Sequence, residues 1–306
     1  MLSHLSQKNR NSIILSHLGA IITVAIWGGS FVSTKVLLDH GMNPAEIYVY
    51  RFALAYVLIL FMSHARLWAN SVRDELLFAL CGITGGSIYF LAENTALEYT
   101  LTTNVSLLTS TSPLIISLIV GILYKSERPN KGMLMGSFIA FIGVGCVIFN
   151  SSFNLQVRPL GDVLSILAAF SWAIYSLVLR KLNVVYDLWF ITRKTFFYGV
   201  LTAIPFVLSK PLNNPLELLG DSSILVNLLF LGIGASMIAY YLWAKIIKQV
   251  GAVKANNYMY LQSIFTLIIS AIAIHERISI VGILGCCLIL GGLWIGDRLS
   301  QSWRNK

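Results

Sequence analysis

The chain has 306 residues, of which 57% are hydrophobic and only 11% are charged. Soluble domains average roughly 45–50% apolar and about 25% charged residues, so this composition excludes a soluble domain, a disordered chain and a cytosolic enzyme. The net charge of +9 would suggest a nucleic-acid partner in a soluble protein. In so apolar a chain it is first interpreted as a signal of membrane orientation.

Ten apolar segments follow one another along the chain, and each approaches or exceeds the roughly 20 residues that span a bilayer. In chain order they cover residues 13–38, 46–64, 74–97, 102–124, 131–150, 159–180, 188–208, 223–247, 252–274 and 279–298. Long apolar runs of this kind favour helices over the alternating strands of an outer-membrane barrel. The sequence therefore predicts an all-α integral membrane protein with ten transmembrane helices.

The two halves of the chain share motifs. Trp-Gly-Gly-Ser-Phe at 27–31 is echoed by Trp-Ala-Ile-Tyr-Ser at 172–176, each in the first helix of its half. Glycines repeat at an offset of 149 residues, Gly136 with Gly285 and Gly143 with Gly292. Small residues at such spacings, including Gly132 and Gly296, let membrane helices approach closely. We interpret them as packing within one chain, with a dimer contact as the alternative.

The shared motifs predict two five-helix repeats, residues 1–150 and 158–306. Because five is an odd number of spans, the second repeat enters the membrane from the opposite side. Such inverted repeats are typical of transporters that expose one site alternately to either side. A gene duplication without alternating access is the alternative.

The distribution of basic residues predicts the orientation. If the N-terminus is cytoplasmic, 17 of the 22 Lys and Arg residues lie at the cytoplasmic side and five at the other. The five are Lys35, Arg51, Arg158, Lys210 and Arg277. Basic residues concentrate on the cytoplasmic side of membrane proteins. We therefore expect a multi-pass protein of the bacterial inner membrane with both termini in the cytoplasm.

Polar and aromatic residues recur at helical spacing inside several segments. Because lipid offers no hydrogen-bond partner, such residues face each other or a water-filled cavity. Serines and threonines fit interhelical contacts equally well, whereas aromatic rings with polar tips favour a cavity lining. The predicted substrate-binding residues are Trp27, Ser30, Arg51, Tyr89, Glu93, Trp172, Tyr175, Asn257, Tyr260 and Gln262.

Four ionisable residues lie well inside the segments, Arg51, Glu93, Arg193 and Lys194, where each needs a partner or water. Arg51 and Glu93 lie at similar depth from the same side. We hypothesise that they pair when the cavity is closed to the outside, and that Glu93 exchanges this partner for a substrate ammonium group or a proton. A permanent structural ion pair is the alternative.

No Walker loop, Gly-rich dinucleotide fingerprint or metal-ligand spacing occurs in the sequence, so we predict neither a cofactor nor a metal site. No arrangement of acid, base and nucleophile suggests an enzyme. The four cysteines lie inside apolar segments and are interpreted as packing residues. The expected partners are a small-molecule substrate and the lipid bilayer, without nucleic acid. A monomer is expected, with a homodimer as the alternative.

Several of these motifs together resemble the EamA-like branch of the drug/metabolite transporter superfamily. The resemblance rests on residues 27–31, Arg51-Phe52, Ala96-Leu97, Ser112-Pro113 and Glu127-Arg128, and in the second half on Trp172, the Gln262 region and Glu276-Arg277. It implies a ten-helix, two-repeat secondary transporter with a central cavity, in a family that exports amino acids and other small metabolites.

Two positions depart from the family pattern. Ser263 stands where the family has a proline in the ninth helix, which argues against a hinge at that point, and Glu93 is not part of the pattern. The leading interpretation is an exporter of small polar metabolites such as amino acids. The alternatives are an uptake carrier for nucleobase-like or vitamin-like solutes, and a channel or structural membrane protein.

The orientation can be tested by thiol labelling in a cysteine-free background. Single cysteines at Asn43 and Ser152 are expected to react with an impermeant reagent added to intact cells, because both positions are predicted to lie outside. Cysteines at Asn70 and Asn130 are expected to react only after the membrane is permeabilised. The reverse pattern would overturn the orientation.

Overall fold

The computed structural model describes residues 2–64, 66–100, 102–124, 129–149, 158–208, 220–273 and 278–304, which contain helices and no strand. The helices are α1 Leu2–Asp39, α2 Pro44–Met62, α3 Val72–Gly82, α4 Ile88–Tyr99, α5 Thr102–Thr109, α6 Ser112–Leu123, α7 Lys131–Phe149, α8 Pro159–Val185, α9 Leu188–Leu208, α10 Ser222–Leu229, α11 Ala239–Val250, α12 Ala252–Asn257, α13 Tyr260–Ala273 and α14 Ile280–Arg304. Two π-helical segments, Ile83–Ser87 and Phe230–Ile238, join α3 to α4 and α10 to α11.

Six helical stretches in the described part of the chain are long and apolar enough to cross a membrane. They are Ile14–Asp39, Pro44–Met62, Val72–Ala96, Lys131–Phe149, Pro159–Val185 and Ser222–Val250. Leu107–Leu123 and Ile280–Gly296 are shorter apolar helices. The all-helical membrane character of the chain is therefore confirmed, while the count of ten transmembrane helices stays a prediction.

The interruptions of the helices fall at corresponding places in the two halves. With the offset of 149 residues, the first π-helical segment corresponds to residues 232–236, inside the second segment. Ser110-Thr111, between α5 and α6, corresponds with an offset of 148 residues to the turn at Tyr258-Met259 between α12 and α13. Interrupted helices in matching positions of two repeats indicate a binding site between them.

The interruption at Tyr258-Met259 forms without a proline. There the amides of Met259 and Gln262 donate to the carbonyls three residues earlier, those of Asn256 and Met259, at 2.9 and 3.1 Å. A tighter turn thus replaces the regular α-helical pattern. Ser263 itself lies inside α13, which runs unbroken from Tyr260 to Ala273, so the helix has no break where the family has a proline. The interruption lies four to five residues before Ser263.

The glycine repeat lies where α7 and α14 pack against each other. An added Cβ at Gly136 would lie 2.4 Å from the Gly292 carbonyl oxygen, and one at Gly143 would lie 2.7 Å from that of Gly285. Contacts move down α14 as they move up α7, so the two helices run antiparallel. The predicted glycine packing within one chain is confirmed. Glu127-Arg128, Glu276-Arg277 and Ser152 lie outside the described residues.

The start of α2 fixes the position of Arg51. Asn43 caps the helix by accepting from the amides of Ala45 and Glu46, at 3.0 and 2.9 Å, and the Glu46 carboxylate accepts from the Asn43 amide. This capping box satisfies the first backbone donors of the helix. Arg51 follows about two turns later, roughly 10 Å along the helix.

The close packing of α7 against α14 gives a matched test. Gly136→Ala is expected to destabilise the protein by about 1–3 kcal/mol, because its methyl group must push two backbones apart. Gly291→Ala is the control on α14, since nothing lies within 4 Å of an added Cβ there. Thermal unfolding in detergent measures both variants. Equal melting temperatures of the two variants would show that the backbones of α7 and α14 do not pack closely at Gly136.

Candidate functional site: a cavity between the two halves of the chain

A cavity of about 610 Å³ lies between the two halves, within the usual size range of ligand sites. Seven of the ten predicted site residues line it: Trp27, Ser30, Arg51, Tyr89, Glu93, Trp172 and Gln262. The lining comes from α1, α2, α4, α8, α11, the turn at Tyr258-Met259 and α13. The cavity therefore joins residues that are distant in sequence.

Aromatic rings form the floor of the cavity. The ring of Trp27 lies edge-on to those of Trp172 and Trp243, with centroids 5.4 and 5.0 Å apart. Its Nε1 donates to the Ala235 carbonyl oxygen at 2.9 Å, in the second π-helical segment. The Nε1 of Trp172 donates to Asn256 Oδ1 at 3.0 Å. Both indoles are therefore held rigidly by their polar tips.

The cavity is open at one end and closed at the other. Its lining reaches Asp39, which is exposed at the end of α1, about 18 Å along the helix from Trp27 at 1.5 Å per residue. Beyond the floor, Trp243 and Ser176 are fully buried. We call the Asp39 end the mouth and the opposite end the closed end.

Arg51 and Glu93 are both buried and both line the cavity. The Nε of Arg51 donates to Ser236 Oγ at 2.9 Å, and its guanidinium carbon lies 4.7 Å from the centre of the Phe90 ring. The Glu93 carboxylate accepts from the Tyr89 hydroxyl at 3.0 Å. Among the described residues, the ion pairs within 4.0 Å do not include Arg51 with Glu93. The hypothesised pair is thus not formed with the mouth open, and its formation on closure stays a prediction.

Three predicted site residues lie outside the cavity. The Tyr175 ring packs onto Gly85: a Cβ added to Gly85 would lie only 2.4 Å from an atom of the Tyr175 ring. The Asn257 side chain accepts from Ser137 Oγ on α7 at 3.1 Å, and Tyr260 is fully buried. They are not among the residues that line the cavity, because Tyr175 and Asn257 contact neighbouring helices and Tyr260 is buried. A role of these three residues in substrate binding stays a prediction.

Tyr240 is a lining residue that the sequence argument missed. Its hydroxyl donates to the Gly85 carbonyl oxygen at 2.7 Å, and its ring lies edge-on to that of Trp172. Tyr240 follows the second π-helical segment by two residues, as Tyr89 follows the first. The two tyrosines lie 151 residues apart, two more than the glycine offset, so the repeat pointed to Tyr240 only approximately. Met259 and Thr266 also line the cavity and carried no comparable signal.

Gly28 of the Trp-Gly-Gly-Ser-Phe motif allows α13 to approach α1. An added Cβ would lie 2.9 Å from the Phe265 Cβ and 3.3 Å from the Gln262 carbonyl oxygen. The motif therefore supplies both a cavity aromatic, Trp27, and the close helix contact beside it.

A model of the EamA-like transporter family matches residues 14–149 and again residues 159–295. The chain belongs to the EamA-like transporter family. It is 29% identical to an uncharacterized transporter of Archaeoglobus fulgidus over 284 residues, 92% of this chain and 96% of that one. It is 25% identical to a probable amino-acid metabolite efflux pump of Escherichia coli over 292 residues, 93% of this chain and 95% of the relative.

A solved crystal structure superimposes with a TM-score of 0.75 at 19% identity, covering 96% of this chain and 99% of the other. At that identity the likeness supports the fold alone. The family match and the apolar helices show that the EamA chain is a membrane transporter and not an enzyme.

The aromatic floor can be tested by comparing buried and exposed tryptophans. Trp27→Ala and Trp172→Ala are expected to reduce transport at least about tenfold, because a ligand loses an aromatic contact and a rigid wall. Trp294→Ala is the control, since Trp294 on α14 is 62% exposed. Flux per folded protein in vesicles measures the effect. Losses of folded yield as large as the losses of transport would show that these rings serve packing only.

Proposed function

We propose that this EamA protein is a secondary transporter that exports small zwitterionic metabolites such as amino acids by alternating access through the central cavity. The observation that carries the proposal is the pair of buried charges at the cavity wall, Arg51 and Glu93, which are not paired with each other. The efflux-pump relative from Escherichia coli supports the same substrate class.

The two charges differ in sign and in what they offer a ligand. The Arg51 guanidinium uses Nε to bind Ser236, and its terminal nitrogens suit a carboxylate, which matches a guanidinium in shape and charge. The Glu93 carboxylate accepts one hydrogen bond from Tyr89 and has further acceptor sites for an ammonium group. An amino acid carries both groups, and the surrounding rings suit an apolar side chain.

The packing of α7 against α14 supports an inverted arrangement of the repeats. Gly136 contacts Gly292, and Gly143 contacts Gly285. Since Gly285 is the repeat counterpart of Gly136, and Gly292 that of Gly143, the repeat maps each contact onto the other. Because these equivalent helices run antiparallel, the axis that relates them lies across the helices. Rotation about such an axis places the second repeat upside down in the membrane.

A cavity that ends at a buried aromatic floor favours a carrier over a channel, because a channel requires a continuous path. We place the mouth on the outer side of a bacterial inner membrane, with both termini cytoplasmic, because of the excess of basic residues at the opposite end.

The function is tested with purified protein in vesicles preloaded with an unlabelled amino acid. Labelled amino acid is expected to enter by saturable counterflow. Glu93→Gln and Arg51→Gln are each expected to lower the rate about tenfold or more, because a hydrogen bond to a charged group contributes about 1.5–3 kcal/mol. Arg298→Gln is the matched control, since Arg298 is exposed on α14.

The double variant separates binding from structure. If Arg51 and Glu93 bind substrate, the double variant keeps its folded yield while transport stays lost. Recovery of both yield and transport would indicate a permanent structural pair instead. Normal transport by Glu93→Gln at every pH would exclude Glu93 as substrate ligand and as coupling site. Linear flux would favour a channel, and counterflow with nucleobases or vitamins alone would favour the other substrate classes.

A further inference from the structure

Two buried basic residues, Arg193 and Lys194 on α9, lie outside the cavity and hold the connection between α2 and α3. Arg193 donates to the carbonyl oxygens of Ser63 and Arg66. Lys194 pairs with the Glu75 carboxylate and also donates to the Leu67 carbonyl oxygen at 3.2 Å. We call this connection, in its described residues 63, 64 and 66–71, the α2–α3 loop.

Two tyrosines complete the attachment. The Tyr198 hydroxyl, one turn after Lys194, donates to Glu75. The Tyr186 hydroxyl donates to the Asp74 carboxylate at 2.6 Å and accepts from the Asn70 amide at 2.8 Å. The other Glu75 oxygen accepts from the Ala69 amide at 2.8 Å. Both ends of the α2–α3 loop are thus held by one set of side chains.

These contacts join the two halves of the chain. The loop, Asp74 and Glu75 belong to the first half, whereas Tyr186, Arg193, Lys194 and Tyr198 belong to the second. Transporters with inverted repeats change state largely by rocking of one repeat or bundle against the other. Polar contacts between the repeats at one end must therefore loosen when that end opens.

The contacts lie at the closed end of the cavity. Helix α2 begins five residues after Asp39, beside the mouth, and crosses the bundle to Met62, so the α2–α3 loop lies at the opposite end. Arg193 and Lys194 are 2% and 4% exposed. Buried charges are costly without partners, so loss of these partners has a large energetic effect.

The corresponding stretch of the first half lacks this chemistry. The offsets of 145 residues (Trp27 with Trp172) and 149 residues (the glycines) place the counterparts of Arg193 and Lys194 within residues 44–49. This stretch, Pro-Ala-Glu-Ile-Tyr-Val, contains no basic residue. When the two repeats exchange conformations and the mouth closes, equivalent contacts therefore cannot form at the mouth. An interaction present in one state alone shifts the equilibrium by its own free energy.

We infer that Arg193 and Lys194 form a clamp on the α2–α3 loop that holds the closed end shut and favours the state with an open mouth. The inference rests on the proposed alternating access and adds the residues that set the balance between its two states. Lys194 and Arg193 act here as positioning residues, since neither lines the cavity.

The clamp is tested by thiol labelling of purified protein in nanodiscs, with the four native cysteines replaced. A cysteine at Thr34 reports the mouth, and one at Ser176, one turn beyond Trp172 on α8, reports the closed end. Lys194→Gln and Arg193→Gln are each expected to raise labelling at position 176 about fivefold, the lower limit of typical coupling between sites. Labelling at position 34 is expected to fall.

Lys181→Gln is the matched control, because Lys181 is exposed near the same end of α8. If Lys194→Gln fails to fold, the charge exchange Glu75→Lys with Lys194→Glu and the milder Tyr198→Phe replace it. The exchange is expected to restore the wild-type labelling ratio, and Tyr198→Phe to shift it in the same direction as Lys194→Gln. A lower melting temperature with an unchanged labelling ratio would overturn the clamp and leave a purely structural attachment.

The labelling uses no substrate, so it separates the two proposals. A shifted ratio together with absent amino-acid counterflow would retain the clamp and overturn the proposed substrate. Normal amino-acid counterflow with an unchanged labelling ratio would retain the proposed substrate and overturn the clamp.

Discussion

The architecture depends on side chains of one half binding backbone carbonyls of the other, where the helices are π-helical. Trp27 donates to Ala235 in the second π-helical segment, and Tyr240 and Ser171 donate to Gly85 and Thr84 in the first. In apolar surroundings an unsatisfied polar group costs several kcal/mol, so these bonds are strongly favoured. They bring α1 against the second segment and α8 against the first, and place the aromatic floor at the crossing.

This arrangement also determines how charge is accommodated in the cavity wall. Ser236, in the second π-helical segment, accepts from Arg51, and Tyr89, two residues after the first segment, donates to Glu93. Each charged group is oriented by a residue of an interrupted helix, and π-helical turns are frequent at functional sites. Because Arg51 and Glu93 are oriented by different residues, Ser236 and Tyr89, each lines the cavity without pairing with the other. A ligand with two charges of opposite sign can therefore satisfy both at once.

The sequence predicted those parts of the site that follow from helical periodicity and depth. Trp27, Trp172 and the shared depth of Arg51 and Glu93 could be derived, since spacing and distance from a helix end determine face and level. Tyr175 could not be separated from Trp172, because three residues along a helix leave both on one broad face. Its packing onto Gly85 depends on a neighbouring helix whose position periodicity does not specify.

Most of the other features that the sequence did not predict involve backbone carbonyls as hydrogen-bond acceptors. Arg193 and Lys194 could be recognised as buried charges that need partners, but carbonyls of the α2–α3 loop carry no side-chain signal. The break at Tyr258-Met259 was missed for a related reason, since it forms by hydrogen bonding to carbonyls three residues earlier and no proline marks it.

Symmetry and charge have different consequences for the two ends of the molecule. The glycine contacts of α7 with α14 are related to each other by the repeat, and they bring the two backbones within van der Waals distance. Such contacts suit a scaffold that stays fixed in both states. The charges do not follow the repeat: Arg51 and Glu93 face the half of the cavity near the mouth, while Arg193 and Lys194 lie at the closed end. Closing the mouth removes water from Arg51 and Glu93, which is unfavourable unless they meet each other or a ligand. A zwitterion that binds both therefore lowers the cost of closure, which couples occupancy of the cavity to the change of state.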